Sequence, residues 1–275
     1  MTRVIAIANQ KGGTGKTTCT VNLGFSLSKN KKRVLIIDLD PQGNATTHLG
    51  INPYEVEKSI YEVLVDSLPV KEVIRSSEVQ NFGTSELLKL DVIPSNIELS
   101  GAEIELVNTV GRETVLRDSL KGVKNSYDYI LIDCPPSLSL LTLNALTTAS
   151  EVFIPMQTEF FALDGIRKLL DTIDIVKKRI NKNLRITGVI LTLYDNRKNI
   201  CKDVAEKVKE FFKDKVFETK IRDNVKLSEA PSYGKPISLY DPKSYGALDY
   251  EALANEVLNH RGFIPRSLLR KSYLG

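Results

Sequence analysis

Eight consecutive residues, Lys11-Gly12-Gly13-Thr14-Gly15-Lys16-Thr17-Thr18, have the types and spacing needed to hold a chain of phosphates. Glycines at 12, 13 and 15 let backbone N–H groups converge on one point, Lys16 has the reach for β and γ phosphates, and the Thr17 hydroxyl suits Mg²⁺. The general pattern G-x-x-x-x-G-K-[ST] would open on a glycine at position 10, where this chain has Gln10. In its place stand a glycine pair at 12 and 13 and an extra lysine, Lys11, at the head of the loop. Three acids follow downstream. Asp38 and Asp40 are two residues apart in Asp38-Leu39-Asp40-Pro41-Gln42-Gly43-Asn44, and Asp133 opens Asp133-Cys134-Pro135-Pro136. Asp133 reads as a Walker B acid, holding the Mg²⁺ shell directly or through water.

These residues need elements to position them. Val4-Ile5-Ala6-Ile7-Ala8 is an apolar run of the buried parallel-strand type, and Thr17–Leu27 has helical spacing with Val21, Leu23, Phe25 and Leu27 available for packing. A helix beginning directly behind the glycines adds partial positive charge to the phosphate site. Arg33–Asp38 and Tyr129–Asp133 are two more buried strands, each ending in an acid, where a doubly wound sheet places its ligands. Strand-like segments lie near 3–8, 33–38, 88–93, 128–133, 151–155, 184–193 and 216–220; helix-like segments lie near 16–28, 97–120 (broken at Gly111), 138–148, 162–180, 199–213 and 245–259. This alternation predicts an α/β fold: a single-domain P-loop NTPase over residues 1–260, with a doubly wound, mostly parallel sheet and helices on both faces. Residues 50–86 are the least regular stretch and read as surface structure. The 162–180 helix is amphipathic, with Ile166, Leu169, Leu170, Ile173, Ile175 and Val176 near one face; its basic end, Lys177-Lys178-Arg179, suits a helix C-terminus.

Composition sets bounds on this reading. The 275 residues are 42 % hydrophobic, enough for one sizeable α/β core. No apolar run approaches 18 residues and the N-terminus runs straight into the first strand, so neither a transmembrane helix nor a signal peptide is expected. Cys19, Cys134 and Cys201 have no metal-type spacing and form no disulfide framework, which fits a reducing cytoplasm and disfavours a metal chaperone. Cys134, just after a buried strand, reads as a small packing residue. The net charge is +4, but residues 261–275 hold four basic residues and no acid, so residues 1–260 are neutral on balance. Nucleic-acid binding cannot be inferred from bulk charge and would need a local patch.

The loop at 11–18, Asp-Leu-Asp-Pro-Gln-Gly-Asn at 38–44 and Asp-Cys-Pro-Pro at 133–136 together resemble the ParA/MinD superfamily of deviant-Walker ATPases. Pro155–Gly165, Leu227–Pro236 and Ser244-Tyr245-Gly246-Ala247 resemble its Soj-like, chromosome-partitioning ParA branch, and the resemblance covers roughly residues 2–260. It implies ATP and Mg²⁺ as cofactors, held by residues 11–18 with Thr17, Asp38 and Asp133 at the metal. It also implies an ATP-dependent homodimer in which Lys11 reaches the partner's nucleotide phosphates in the role of an arginine finger. Lys16 would be the ordinary phosphate lysine in cis, and Asp40 would position the attacking water. Asp195, Asn196 and Pro231 fall where adenine contacts are expected.

By the same resemblance, basic residues in two regions, Arg197 with Lys198 and Arg222 with Lys226, would bind double-stranded DNA without sequence preference once ATP has joined two half-patches. Such phosphate contacts are steeply salt-dependent. A ParB-type centromere-binding protein would stimulate hydrolysis, giving a cytoplasmic, nucleoid-associated partition ATPase. There is no room for an N-terminal helix-turn-helix, which makes operator binding an unexpected activity. The basic tail 261–275 interleaves Arg and Lys with Leu and Tyr, and so keeps open a MinD-like, membrane-associated alternative, though so short a helix would anchor weakly. A tyrosine autokinase would need clustered C-terminal tyrosines, whereas Tyr233, Tyr240, Tyr245, Tyr250 and Tyr273 are scattered; a ligase would need substrate motifs that are not found; and the iron-protein relatives need a cysteine pair that cannot be placed.

Overall fold

The computed structural model describes residues 2–76, 90–159 and 164–259. Its elements in chain order are β1 (Arg3–Ile7), α1 (Lys16–Lys29), β2 (Val34–Asp38), α2 (Asn44–His48), α3 (Ile60–Leu64), β3 (Arg75–Ser76), β4 (Leu90–Ile93), α4 (Leu99–Glu105), α5 (Val115–Ser119), β5 (Tyr129–Asp133), α6 (Leu140–Thr148), β6 (Glu151–Gln157), α7 (Arg167–Arg179), β7 (Arg185–Tyr194), α8 (Asn199–Phe212), β8 (Val216–Arg222), α9 (Val225–Glu229), α10 (Ile237–Tyr240) and α11 (Tyr245–Asn259). Among the described residues, eight strands form one sheet in the order β3-β4-β2-β5-β1-β6-β7-β8. All neighbours are parallel except β3, which pairs antiparallel to β4 at the edge.

The strands are apolar throughout because both faces are covered. Along β1 the alternation sends Val4, Ala6 and Ala8 into a core shared with α3 to α8, and Ile5 and Ile7 into a second core under α1, α2, α9, α10 and α11. Strand order reverses at β1: β5 lies on one side of it and β6 on the other. The loops leaving the carboxyl ends of β1, β2 and β5 therefore meet at a topological switch point, the place where such sheets bind ligands.

The α/β architecture agrees with the sequence reading, with three local corrections. The irregular stretch 50–86 is not surface throughout. Ser59 opens α3 with a capping box, its hydroxyl accepting from Tyr61 N–H at 3.1 Å while Glu62 accepts from Ser59 N–H at 2.7 Å, and Ile60, Val63 and Leu64 are buried. The 97–120 segment breaks at Gly111 as expected, in a left-handed turn (φ 74°), but its helices are shorter than the segment suggests, α4 spanning seven residues and α5 five. In the 162–180 segment α7 begins at Arg167, residues 162 and 163 lie outside the described residues, and Ile175 is 54 % exposed rather than buried with Ile166, Leu169, Ile173 and Val176. All three cysteines are buried free thiols, and Cys134 packs as expected. The basic tail 261–275 lies outside the described residues.

One glycine fixes how closely β7 meets its neighbours. A Cβ on Gly188 would lie 2.5 Å from Phe217 Cε2 and 2.6 Å from Phe153 Cδ1, two rings already packed edge-to-face with centroids 5.2 Å apart. Gly188→Ala is therefore expected to cost about 1–3 kcal/mol by overpacking. A urea titration should show a lower midpoint at unchanged slope, and an unshifted midpoint would mean the rings can yield.

Candidate phosphate-binding site at the sheet's carboxyl edge

The loop from β1 to α1 is shaped by its neighbours. Gly13 and Gly15 have φ of 72° and 82°, the left-handed region that glycine occupies without penalty. Gln157, at the end of β6, donates its Nε2 to the Gly13 carbonyl at 2.6 Å, and Thr192 of β7 donates its hydroxyl to the Thr14 carbonyl at 2.9 Å. Asn9 bridges in both directions: its Nδ2 donates to the Pro155 carbonyl at 2.7 Å and its Oδ1 accepts from Lys11 N–H at 3.0 Å. The α1 N-terminus has no side-chain cap and no acid in its first turn, which leaves its orphan N–H groups for an anion.

Lys16 is buried and its Nζ lies 3.3 Å from the Lys11 carbonyl. Burial lowers its pKa, opposed by the nearby carboxylates of Asp133 and Asp40. Asp133 accepts from Thr17 Oγ1 at 2.7 Å and from Thr20 Oγ1 at 2.9 Å. Asp38 accepts from Asp40 N–H at 3.1 Å and from Thr46 N–H and Oγ1 at 2.8 and 2.7 Å. Thr46 in turn accepts from Ser95 N–H at 2.9 Å. Asp38 thus ties the 39–46 segment to the sheet. Burial raises the pKa of both carboxyls; Asp133 is pushed further by the charges of Asp38 and Asp40. Two buried carboxyls beside a threonine hydroxyl, both in want of positive charge, fit a hard divalent cation. Among the described residues no cluster of three or more His, Cys, Asp or Glu could hold a metal by itself. Mg²⁺ takes one or two protein carboxylates plus substrate phosphates, and Asp133 with Asp38 beside Thr17 supplies such carboxylates.

Gly12, Gly13, Gly15, Lys16, Thr17, Thr18, Asp40 and Pro231 line one cavity of about 460 Å³. Thr14 is buried behind it, and Asp38 and Asp133 lie fully buried at the sheet edge. Gln42, Asn44, Thr47, His48 and Pro136 line it as well. Sequence reasoning did not assign them, although Gln42, Asn44 and Pro136 lie within motifs it singled out. The structure does not bring Asp195 and Asn196 to this cavity. Asp195 is bound instead by Arg197, whose N–H, Nε and Nη2 donate to it at 3.0, 2.9 and 2.9 Å.

His48 is 1 % exposed, and its Nε2 has no hydrogen-bond partner among the described residues. Burial lowers its pKa from 6.5 to about 4, against a weaker upward pull from a hydrogen bond with the Lys235 backbone. The unfolded chain therefore takes up this proton first, so stability present above pH 6.5 is lost as pH falls towards 4. The loss is of the order of 3 kcal/mol. Asp38 and Asp133, with raised pKa values, act in the opposite sense, so the clean measurement is a difference. The stability of the parent minus that of His48→Gln should fall by about that amount between pH 7 and pH 4. A constant difference would contradict the assignment.

Lys11 stands apart from the cavity, in a small recess with Asn9, Thr14, Met156, Gln157 and Gly165. Its Nζ pairs with Glu159 at 2.5 Å, and the two side chains are 41 % and 60 % exposed. The four residues expected at DNA are all ion-paired: Arg197 and Lys198 with Asp195, Arg222 with Asp249, and Lys226 with Glu229. Among the described residues no helix is long and apolar enough to cross a membrane.

Comparison with known proteins gives the family. A family model described as an AAA domain matches residues 2–186. The sporulation initiation inhibitor protein Soj of Bacillus subtilis is 54 % identical over 257 residues, covering 94 % of this chain and 98 % of that one. The chromosome partitioning protein ParA of Myxococcus xanthus is 48 % identical over 256 residues, covering 93 % and 88 %. A crystal structure from Mycobacterium smegmatis, described as cobyrinic acid a,c-diamide synthase with a bound ATP analogue and magnesium, superposes with a TM-score of 0.81 at 35 % identity over 94 % of this chain and 96 % of that one. The chain belongs to the ParA/MinD superfamily of P-loop ATPases, in its Soj-like, chromosome-partitioning ParA branch.

Proposed function

We propose that this partitioning ATPase works as an ATP-gated DNA clamp. ATP with Mg²⁺ occupies the cavity at 11–18, two subunits close face to face over their nucleotides, and the joined surface binds duplex DNA without sequence preference. A ParB-type protein bound to a centromere-like site then stimulates hydrolysis, and the dimer parts and leaves the DNA. The cycle attaches and releases cargo DNA across the nucleoid. Residues 1–260 carry this activity.

The observation that carries the reading is the position of Lys11. It heads the phosphate loop yet does not line its own subunit's cavity, and it stands in an exposed ion pair with Glu159. Such a pair is worth about 0–1 kcal/mol, so its release towards a second subunit costs little. The likeness to Soj and ParA supports the same role.

In the proposed reaction, water attacks the γ phosphorus and the bond to the β–γ bridging oxygen breaks, releasing phosphate and ADP. Lys16 sets its charge against the β and γ phosphates, helped by the α1 N-terminus. Asp40 orients the water, and the partner subunit's Lys11 meets the charge that develops on the transferred group. Thr17 and Asp133 would hold Mg²⁺, with Asp38 behind them; the ion, when bound, supplies Lewis-acid charge to the phosphate oxygens. Pro231 would lie against the base. Arg197, Lys198, Arg222 and Lys226 would meet DNA phosphates.

Arg222→Glu or Lys226→Glu should lose binding to a nonspecific duplex while ATP-dependent dimerisation, read by light scattering, is unchanged. Loss of both together would point to damage to the fold instead.

A further inference from the structure

Arg222 does not hang loose at the surface. Its Nε lies 3.1 and 3.0 Å from Asp249 Oδ1 and Oδ2, and its Nη2 lies 2.6 Å from Oδ1. Its backbone N–H donates to Asp249 Oδ2 at 3.0 Å. The guanidinium carbon stands 4.1 Å from the centroid of the Tyr245 ring, a stacking distance. Tyr245 and Asp249 are four residues apart on α11, so they rise from one face of that helix beneath the end of β8. Asp249 is buried, Tyr245 is 62 % exposed and the Arg222 side chain is 40 % exposed. A guanidinium has five N–H donors in a rigid plane. Asp249 takes those along the Nε–Nη2 edge, which leaves Nη1 uncommitted to Asp249 on a side chain that is partly exposed.

We propose that Asp249 and Tyr245 are positioning residues that hold the Arg222 guanidinium in one plane, with its remaining edge presented to a DNA phosphate. The inference rests on the DNA role proposed above for Arg222. Its physical basis is pre-organisation. A free arginine gives up rotamer freedom when it binds, whereas one already fixed gives up little. Positioning and simple electrostatics predict opposite signs. Asp249 is an acid close to where DNA would lie, so charge alone says that removing it tightens binding; positioning says that removing it weakens binding.

The test uses full-length protein carrying Asp40→Ala and saturated with ATP, with a nonspecific duplex titrated at several salt concentrations. Asp249→Asn and Tyr245→Leu should each weaken binding about 3- to 10-fold, with the salt slope kept because Arg222 still meets the phosphate. Tyr245→Phe, which keeps the ring face, should restore the affinity that Tyr245→Leu loses. Arg222→Ala should weaken binding and also make the slope shallower by about 0.9 for each phosphate it no longer neutralises. Tighter binding by Asp249→Asn, or unchanged binding by Tyr245→Leu, while Arg222→Ala still weakens it, would overturn the positioning role and leave the DNA reading standing. An Arg222→Ala protein with unchanged affinity and slope would remove Arg222 from the DNA surface and overturn this inference with it, while DNA binding by the dimer would stand. Should Asp249→Asn fail to fold, the Tyr245→Leu and Tyr245→Phe pair decides the question, because Tyr245 is an exposed residue.

Discussion

Lys11→Ala protein is expected to bind ATP as the parent does and to hydrolyse it about 10³-fold more slowly in the presence of DNA and a ParB-type partner. Geometry separates the two lysines. Lys16, not Lys11, lines the cavity, so the subunit's own nucleotide site keeps its lysine when Lys11 is removed. What disappears is a positive charge delivered from outside, of the kind an arginine finger supplies. Binding of a fluorescent ATP analogue and phosphate release, measured on one preparation, separate the two effects. The expected pattern is unchanged affinity at low protein concentration, where subunits are monomeric, with hydrolysis near background at every concentration. Weakened binding in the monomer would place Lys11 on its own nucleotide and remove the main support for a cross-subunit role. Lys11→Arg adds a control: it keeps the charge but brings a planar group into a recess bounded by Asn9, Met156 and Gln157, so partial activity is expected.

The second large effect is expected at Asp40. This carboxylate lines the cavity and accepts from Gln42 N–H at 3.0 Å. It is held by a turn that Asp38 ties to the sheet through Thr46 and Asp40 N–H. A residue so fixed at the cavity wall suits the orientation of a water, a role worth about 10²- to 10⁴-fold in rate. Asp40→Ala should lose hydrolysis by that order while keeping ATP and the dimer, because Asp40 supplies no charge that the phosphates need for binding. Asp38→Ala should behave differently. It leaves Thr46 N–H and Oγ1 without their buried acceptor, so a lower melting temperature is expected alongside the loss of activity. A stable Asp38→Ala protein with normal hydrolysis would contradict the role given to the 39–46 turn.

The parts of this site that were legible in the sequence are those encoded within a few residues. The order strand, glycines, Lys-Thr, helix lies in one continuous stretch, and Asp38 and Asp133 each end a strand whose apolar run is visible. What stayed hidden depends on which strands become neighbours. Gln157 and Thr192 hold the carbonyls of Gly13 and Thr14 only because β6 pairs with β1 and β7 with β6, more than 140 residues away in sequence. Glu159 meets Lys11 for the same reason. His48 carries no local signature; its burial follows from the packing of α2 against the 230–235 segment. The irregular look of residues 50–86 concealed α3, because a helix of five residues is too short for periodicity to register and only the Ser59–Glu62 cap marks it. Ile175 shows the opposite error: an apolar residue at helical spacing that ends up in solvent, since a helix against a sheet has room for only one stripe. The adenine contacts that the resemblance implies for Asp195 and Asn196 have no local signature either; what the structure shows there is Asp195 paired with Arg197, two residues on.

The most direct measurement of the central claim is the binding of Asp40→Ala protein to a nonspecific duplex, with ATP and with ADP, alongside particle mass by light scattering. The predicted result is a dimer with ATP and a monomer with ADP, with salt-sensitive DNA binding confined to the ATP form. A monomer when saturated with ATP, or equal DNA binding in both nucleotide states, would contradict it.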